Sequence, residues 1–267
     1  QGAIGICVAP STEDLGSSLH RFVSFADAIP DNDNVSRGNA MVFCDRFPQM
    51  KTKKDVWNDT AVDNISNEFH ETIGSQHSPE DAVYYVYAVM NSAAYLGRFG
   101  NILYGPSDPA NPQRVPVLRD NKALRRIINL GREMAAYEMG HADAPILEGL
   151  ETDIPAGFPG FELKAAKIDS LENKIVLGDA SGTSITCTGI PSEVLSLDVS
   201  GHNVVKKWLR ERTYKYLRRP FIDSDLHSLL QLISNIDAQG EKLSEVSDIL
   251  NPCLEAGELH RTLQLNP

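Results

Sequence analysis

The chain has 267 residues, 42% of them hydrophobic and 23% charged, which is the balance of a folded protein of one large or two smaller domains and not of a disordered chain. Its formal charge of -11, from 36 acidic against 25 basic side chains, argues against a surface that binds nucleic acid all over and confines any such binding to a local basic patch. No apolar run reaches the length of roughly 18 residues that a membrane helix needs, and no charged-then-apolar leader opens the chain, so no membrane partner and a cytoplasmic location are expected.

The chain opens on Gln1 and not on Met, which reads as a piece of a longer polypeptide. Ala3 to Val8, Leu19 to Ile29 and Ala40 to Phe47 are rich in Ile, Val and Phe and predict strands. The polar stretch from Pro30 to Asn39 then predicts an exposed loop. Lys51, Lys53 and Lys54 begin a polar stretch that reaches His77 without clear periodicity.

Ser78-Pro79-Glu80-Asp81 is a helix start: the serine can cap, proline tolerates the first helical position, and the acids suit the positive end of the dipole. Val83, Val86, Val89, Met90 and Ala93 recur at helical spacing, so the helix is expected to run to about Leu96 with one face buried. Tyr84, Tyr85 and Tyr87 lie on this amphipathic helix and read as core packing in preference to base stacking. Gly105 to Pro112 is Pro-rich and predicts a hinge or wrapping loop. Asp120 caps a second expected helix in which Leu124, Ile127, Ile128, Gly131, Met134 and Ala135 share a side, ending near Gly140.

His141 to Gly160 is rich in Pro and Gly and predicts a boundary between subdomains spanning 1–145 and 146–267. After it, Phe161 to Ile168, Lys174 to Leu177, Ser184 to Thr188 and Val194 to Val199 predict short strands, with a hairpin turn ending at Gly182. Val204 to Leu217 and Ser224 to Leu250 carry helical patterns, and Asn251-Pro252 is expected to end the last helix. The fold class that follows is α+β: an N-terminal mixed sheet with helices, a helical spacer, a small antiparallel sheet and C-terminal helices.

Signatures of several enzyme classes are missing. There is no phosphate-binding G-x-x-x-x-G-K-[ST] loop, no G-x-G-x-x-G, no H-E-x-x-H, and no Asn-Pro-Pro-aromatic motif of amino-methyltransferases, since Asn111-Pro112-Gln113 departs from it. The four cysteines, Cys7, Cys44, Cys187 and Cys253, are far apart and suggest neither a zinc site nor a disulfide framework. His70 and His77 with Glu71 lack a third ligand placed by spacing. Asp153 followed by Glu162 and Lys164 has the residue types of a metal-dependent nuclease, but equally those of the wet face of a strand.

Charge gives the sharper signal. From Lys206 to Arg219 there are seven basic residues (Lys206, Lys207, Arg210, Arg212, Lys215, Arg218, Arg219) and one acid, Glu211, with Trp208, Tyr214 and Tyr216 between them. Such a segment suits a phosphate backbone, because each neutralised phosphate releases condensed counterions. A solvated helix face, or a contact with an acidic protein partner in a structural or interaction module, would look the same.

The order of several pieces carries a resemblance. Leu19-His-Arg-Phe22, Ile29-Pro-Asp31, Phe47-Pro48, the run from Ala82 to Ser92 with Tyr95, Arg114-Val-Pro116, Leu130-Gly-Arg-Glu-Met134 and Val199-Ser-Gly-His-Asn-Val-Val-Lys-Lys-Trp-Leu209 with Arg212 follow one another as in a known family. The chain resembles, over nearly its whole length, the C-terminal target-recognition domain of type ISP restriction-modification enzymes, single polypeptides that also carry nuclease, helicase-like ATPase and adenine methyltransferase parts. The loop after Asp31 and the stretch from Lys51 to His77 have compositions of their own.

The resemblance implies a DNA-recognition domain without chemistry of its own, which places the methyltransferase and motor parts of its polypeptide on double-stranded DNA. Those parts would use S-adenosylmethionine, ATP and magnesium; the domain itself would hold no cofactor or metal. The basic residues from Lys206 to Arg219, with Arg114, Arg125, Arg126, Lys51, Lys53 and Lys54, are then candidates for backbone contacts that fix register. Arg37 and Asn39 are candidates for base reading, since arginine pairs with guanine and asparagine with adenine in the major groove, although both also suit an ordinary turn beside Gly38.

Overall fold

The structure, a computed structural model, describes residues 4–8, 20–21, 23–27, 41–48, 61–63, 65, 67–74, 76–103, 114–155, 158, 160–179, 181–199, 202–257 and 259–264. The expected α+β class holds, with small sheets that are antiparallel except for one pairing. The Pro30–Asn39 loop and the Pro-rich stretch from Gly105 to Pro112 lie outside the described residues.

Strand β1 (Gly5–Val8) is followed by β2 (His20–Arg21), β3 (Val23–Ala26) and β4 (Met41–Cys44), and β1 pairs antiparallel with both β3 and β4. Ile6, Val23 and Phe25 turn into the core. Next come β5 (Arg46–Pro48) paired with β6 (Ala61–Asp63), and helix α1 (Asn67–Ile73), so part of the stretch without periodicity is regular after all.

Helix α2 (Pro79–Asn91) starts as the sequence predicts: Asp81 N donates to Ser78 Oγ at 3.2 Å and Ser78 N donates to Asp81 Oδ2 at 3.0 Å, a complete capping box. It stops earlier than its apolar spacing suggests. Ser92 is fully buried and extended; its hydroxyl donates to the Val89 carbonyl at 2.7 Å and accepts from Tyr95 N at 3.3 Å. One side chain thus closes α2 and begins α3 (Ala93–Leu103), so the single helix expected to reach Leu96 is two.

Strand β7 (Arg114–Leu118) precedes α4 (Asn121–Glu138), which Asp120 caps by accepting from Lys122 N at 2.8 Å. Leu124, Ile127, Ile128, Gly131, Met134 and Ala135 are its buried face, as their spacing predicts. Gly131 permits close crossing of α2, since a Cβ there would stand 2.2 Å from the Tyr84 carbonyl oxygen. Tyr85 and Tyr87 are wholly buried, and the Tyr85 hydroxyl donates to the Pro116 carbonyl at 2.8 Å, so these tyrosines pack the core.

A second core surrounds β8 (Glu151–Asp153), β9 (Ala165–Asp169), β10 (Lys174–Gly178) and β11 (Ser184–Thr188), a sheet in the order β8-β11-β10-β9. The β10–β11 turn is held by the Asp179 carboxylate, which accepts from Ser181 N at 2.7 Å and Thr183 N at 2.9 Å, with Gly182 at φ +90°. The strand expected over Val194 to Val199 is instead α5 (Ser192–Ser196) followed by the short β12 (Asp198–Val199). Burial of Val194 and Leu195 on one helical side outweighs the β propensity of valine. Strand β12 pairs antiparallel with β13 (His202–Asn203) and parallel with β2.

The chain ends in α6 (Val204–Glu211), α7 (Tyr214–Leu217), the 34-residue α8 (Asp223–Ala256) and β14 (Leu259–Gln264), which pairs with β7. Contrary to expectation, Pro252 does not end α8; the helix continues because Leu254 is buried, and it stops at Gly257 in the left-handed conformation. One half of α8 places Leu226, Leu229, Ile233 and Ile236 in the second core, and the other places Val246, Leu250 and Leu254 in the first. The Pro/Gly-rich connection is tied to this helix: Ala144 N donates to Asn235 Oδ1 at 2.8 Å and Leu147 N to Ser234 Oγ at 3.0 Å.

Candidate nucleic-acid interface

The basic segment begins at a cap. Asn203 accepts from Lys206 N at 2.9 Å and donates through Nδ2 to the Leu195 carbonyl at 2.8 Å, fixing the start of α6 to the end of α5. Val205 and Leu209 are buried against the second core, which leaves Lys206 and Arg210 exposed one turn apart, with Lys207 half-buried beside them. The single helix expected from Val204 to Leu217 is broken at Arg212 and Thr213, where the Thr213 hydroxyl donates to the Arg210 carbonyl at 2.8 Å and Tyr214 N donates to the Leu163 carbonyl at 2.8 Å.

Not all seven basic groups are equally placed. The Arg212 guanidinium lies 3.7 Å from the centre of the Trp208 ring and is half-buried, and burial lowers its pKa from the ordinary arginine value. Arg219 grips Asp225 with two hydrogen bonds of 2.6 and 2.8 Å. Lys206, Lys207, Arg210, Lys215 and Arg218 have no ion pair among the described residues. Next to Lys215, the ring of Tyr216 is 54% exposed and offers an aromatic face beside the charges.

Asp225 shows how part of the segment is structural. Its carboxylate is held below the usual carboxylate range, first by the hydrogen bonds from Arg219, and it also accepts from Ile222 N at 3.0 Å at the start of α8. A depressed folded-state pKa contributes stability above the ordinary carboxylate value near 3.9, and that contribution is lost as pH falls through the lower folded value. The expected result is that Asp225→Asn lowers the melting temperature at pH 7, and that the gap to the unaltered protein shrinks below about pH 4 in circular dichroism melts. An equal gap at pH 7 and pH 3 would show that the ion pair contributes nothing.

On the α4 surface Arg125 is exposed, whereas Arg126 is bound to Glu245 by hydrogen bonds of 2.6 and 2.7 Å. Arg114 stands on β7 opposite Gln264. Arg37, Asn39, Lys51, Lys53 and Lys54 lie outside the described residues. Two features went unread in the sequence: the cap at Asn203, and the Trp208–Arg212 stack, whose four-residue spacing is its signal.

Glu162 and Lys164 are exposed on either side of the buried Leu163, as expected of the wet side of extended chain, and Asp153 is exposed on β8 at the opposite edge of the β8-β11-β10-β9 sheet. His77 is buried, with Nδ1 3.6 Å from Asp81. Among the described residues no group of three His, Cys, Asp or Glu side chains could hold a metal ion. None of the four cysteines is in a disulfide, and burial pushes the Cys187 thiol up to about 11. No helix of the described residues is long and apolar enough to cross a membrane.

Solved structures that share the fold include three DNA complexes. A nuclease-deletion mutant of the type ISP restriction-modification enzyme LlaGI, in complex with a DNA substrate mimic, is 17% identical with a TM-score of 0.61 over 100% of this chain and 22% of its own. The ATP-dependent type ISP enzyme LlaBIII bound to DNA is 18% identical with a TM-score of 0.66 over 93% of this chain and 16% of its own. DrdV in a complex with DNA is 17% identical with a TM-score of 0.57 over 92% of this chain and 24% of its own. The chain therefore spans less than a quarter of the length of these similar chains. No curated protein matches it in sequence. The family model described as the type ISP C-terminal specificity domain matches residues 3–233, and the chain belongs to that family.

Proposed function

We propose that this domain recognises a DNA sequence on behalf of a longer restriction-modification polypeptide and positions that polypeptide's adenine methyltransferase and helicase-like motor at the site. The observation that carries this is the cluster of basic groups on α6 and after it, five of them without an ion pair among the described residues, in an acidic chain that belongs to a family of specificity domains. Similar chains that contain this fold are bound to DNA. S-adenosylmethionine, ATP and magnesium would serve the other parts of the polypeptide, and this domain would do no chemistry. It would divide near residue 146 into a recognition part and a C-terminal part that share α8.

Lys206, Lys207, Arg210, Lys215 and Arg218 would contact phosphates and set register, with Arg125 adding a contact on α4. Arg114, Lys51, Lys53 and Lys54 belong to the same set. Arg126, Arg212 and Arg219 would reach DNA only on leaving Glu245, Trp208 and Asp225. Base reading would fall to Arg37 and Asn39.

The experiment is to select duplexes from a random pool with the chain, then compare its affinity for the selected and a scrambled duplex. Arg37→Ala or Asn39→Ala is expected to weaken the selected duplex by about 1–3 kcal/mol while leaving the scrambled one unchanged. Equal losses on both duplexes would make these residues phosphate contacts, and no loss would place base reading elsewhere.

A further inference from the structure

A groove of about 440 Å³ opens where α5, the start of α3 and the middle of α8 meet. Leu96, Val194, Leu197 and Leu243 form its apolar walls, and the carboxylates of Glu193, Asp237 and Glu241 also line it. Apolar walls with acids of one sign repel a phosphate backbone and suit the opposite chemistry, an aliphatic surface that carries cations. Burial, then the charges of Glu241 and Glu193, raise the Asp237 carboxyl above the usual range.

A glycine on α8 keeps the groove open. Gly240 lies inside α8, where glycine costs about 1 kcal/mol relative to alanine, yet a Cβ there would meet nothing within 4 Å. Its missing side chain is not required by packing; it leaves room at the groove.

We propose that this groove docks a basic amphipathic helix, with leucine-like side chains against Leu96, Val194, Leu197 and Leu243 and arginines or lysines against Glu193, Asp237 and Glu241. The helix comes from the rest of the polypeptide that carries this domain, a source that rests on the function proposed above, whereas the chemistry of the groove does not. Charge complementarity selects this occupant, and docking by an amphipathic helix uses anchors at three- and four-residue spacing.

The probe is a synthetic helical peptide of about a dozen residues with leucines on one face and arginines on the other, titrated into the 267-residue chain without DNA. Binding is expected at micromolar concentration, with a glutamate-for-arginine peptide at least about tenfold weaker. Gly240→Leu should fill the groove and weaken the arginine peptide about tenfold without lowering the melting temperature, since leucine is the better helix former. Asp237→Asn combined with Glu241→Gln should weaken it in a salt-dependent manner. Indifference to peptide charge, or full binding by Gly240→Leu, would overturn the proposal. So would a dimer of the chain that Gly240→Leu dissociates in sedimentation, because the occupant would then be a second copy. In the longer polypeptide, amides 236–247 should exchange more slowly than in the isolated chain; equal exchange would rule out that source while leaving the DNA function untouched.

Discussion

Replacing Lys206, Lys207 and Arg210 together with glutamate is expected to weaken binding to any duplex DNA by on the order of a hundredfold at roughly 0.1 M salt. The segment from Lys206 to Arg219 holds seven basic residues and one acid, net +6; the triple change leaves four of each, net 0. Each lost phosphate contact removes about 0.9 from the slope of log affinity against log salt, so three lost contacts flatten it by about 2.7. Lys206 and Arg210 are exposed on α6 and Lys207 is half-buried, so the changes leave the Val205 and Leu209 packing in place. Reversing Arg219 should act differently, through stability, because it would place two carboxylates together at Asp225. Unchanged affinity and slope in the triple variant would remove α6 from the phosphate contacts and favour an acidic protein as its partner.

A clear loss of stability is expected from Gly131→Ala. Alanine is normally about 1 kcal/mol better than glycine inside a helix, but here its Cβ would lie 2.2 Å from the Tyr84 carbonyl oxygen and 3.3 Å from Ala88 Cβ. The nearest obstacle is backbone and cannot rotate away, so α4 and α2 must separate. Overpacking of this kind costs about 1–3 kcal/mol or more, and here it exceeds the helix gain. A net loss of about 2 kcal/mol lowers the melting temperature by about 4–8 °C in a domain of this size. Gly240→Ala is the contrast, since a Cβ there meets nothing, and it should gain up to about 1 kcal/mol. Melting curves of the two variants should move in opposite directions; movement of both upward would mean that the helix crossing relaxes freely.

Local signals were legible where a few neighbouring residues decide the outcome. Ser78 with Asp81, and Asp120, start helices because a side-chain acceptor meets unpaired amides a few residues on. The buried face of α4 follows from spacing alone. The break at Ser92 was not legible, because Val89, Ala93 and Leu96 keep helical spacing across it while a buried hydroxyl ends one helix and caps the next. Val194 to Val199 carries β-branched residues yet begins as helix, and α8 runs through Pro252 because tertiary burial outweighs local propensity. Pairing of β7 with β14 joins residues more than a hundred positions apart, which no local pattern encodes.

The candidate interface divides in the same way. The basic run from Lys206 to Arg219 stands out in composition, but only the fold shows Arg219 bound to Asp225 and Arg126 bound to Glu245. Asp225 lies 6 residues beyond Arg219 and Glu245 lies 119 residues from Arg126, so neither carboxylate enters a charge count made along the basic run. The acidic groove was likewise invisible, since Glu193 lies on α5 and Asp237 and Glu241 on α8, and only packing of these elements brings them together.

The most direct measurement is selection of duplexes from a random pool by the 267-residue chain, followed by sequencing of the bound fraction at two salt concentrations. A specificity domain enriches one short motif, and the enrichment persists at the higher salt while non-specific binding falls away. Bound DNA without any enriched motif, or no binding at low salt, would contradict sequence recognition by this domain.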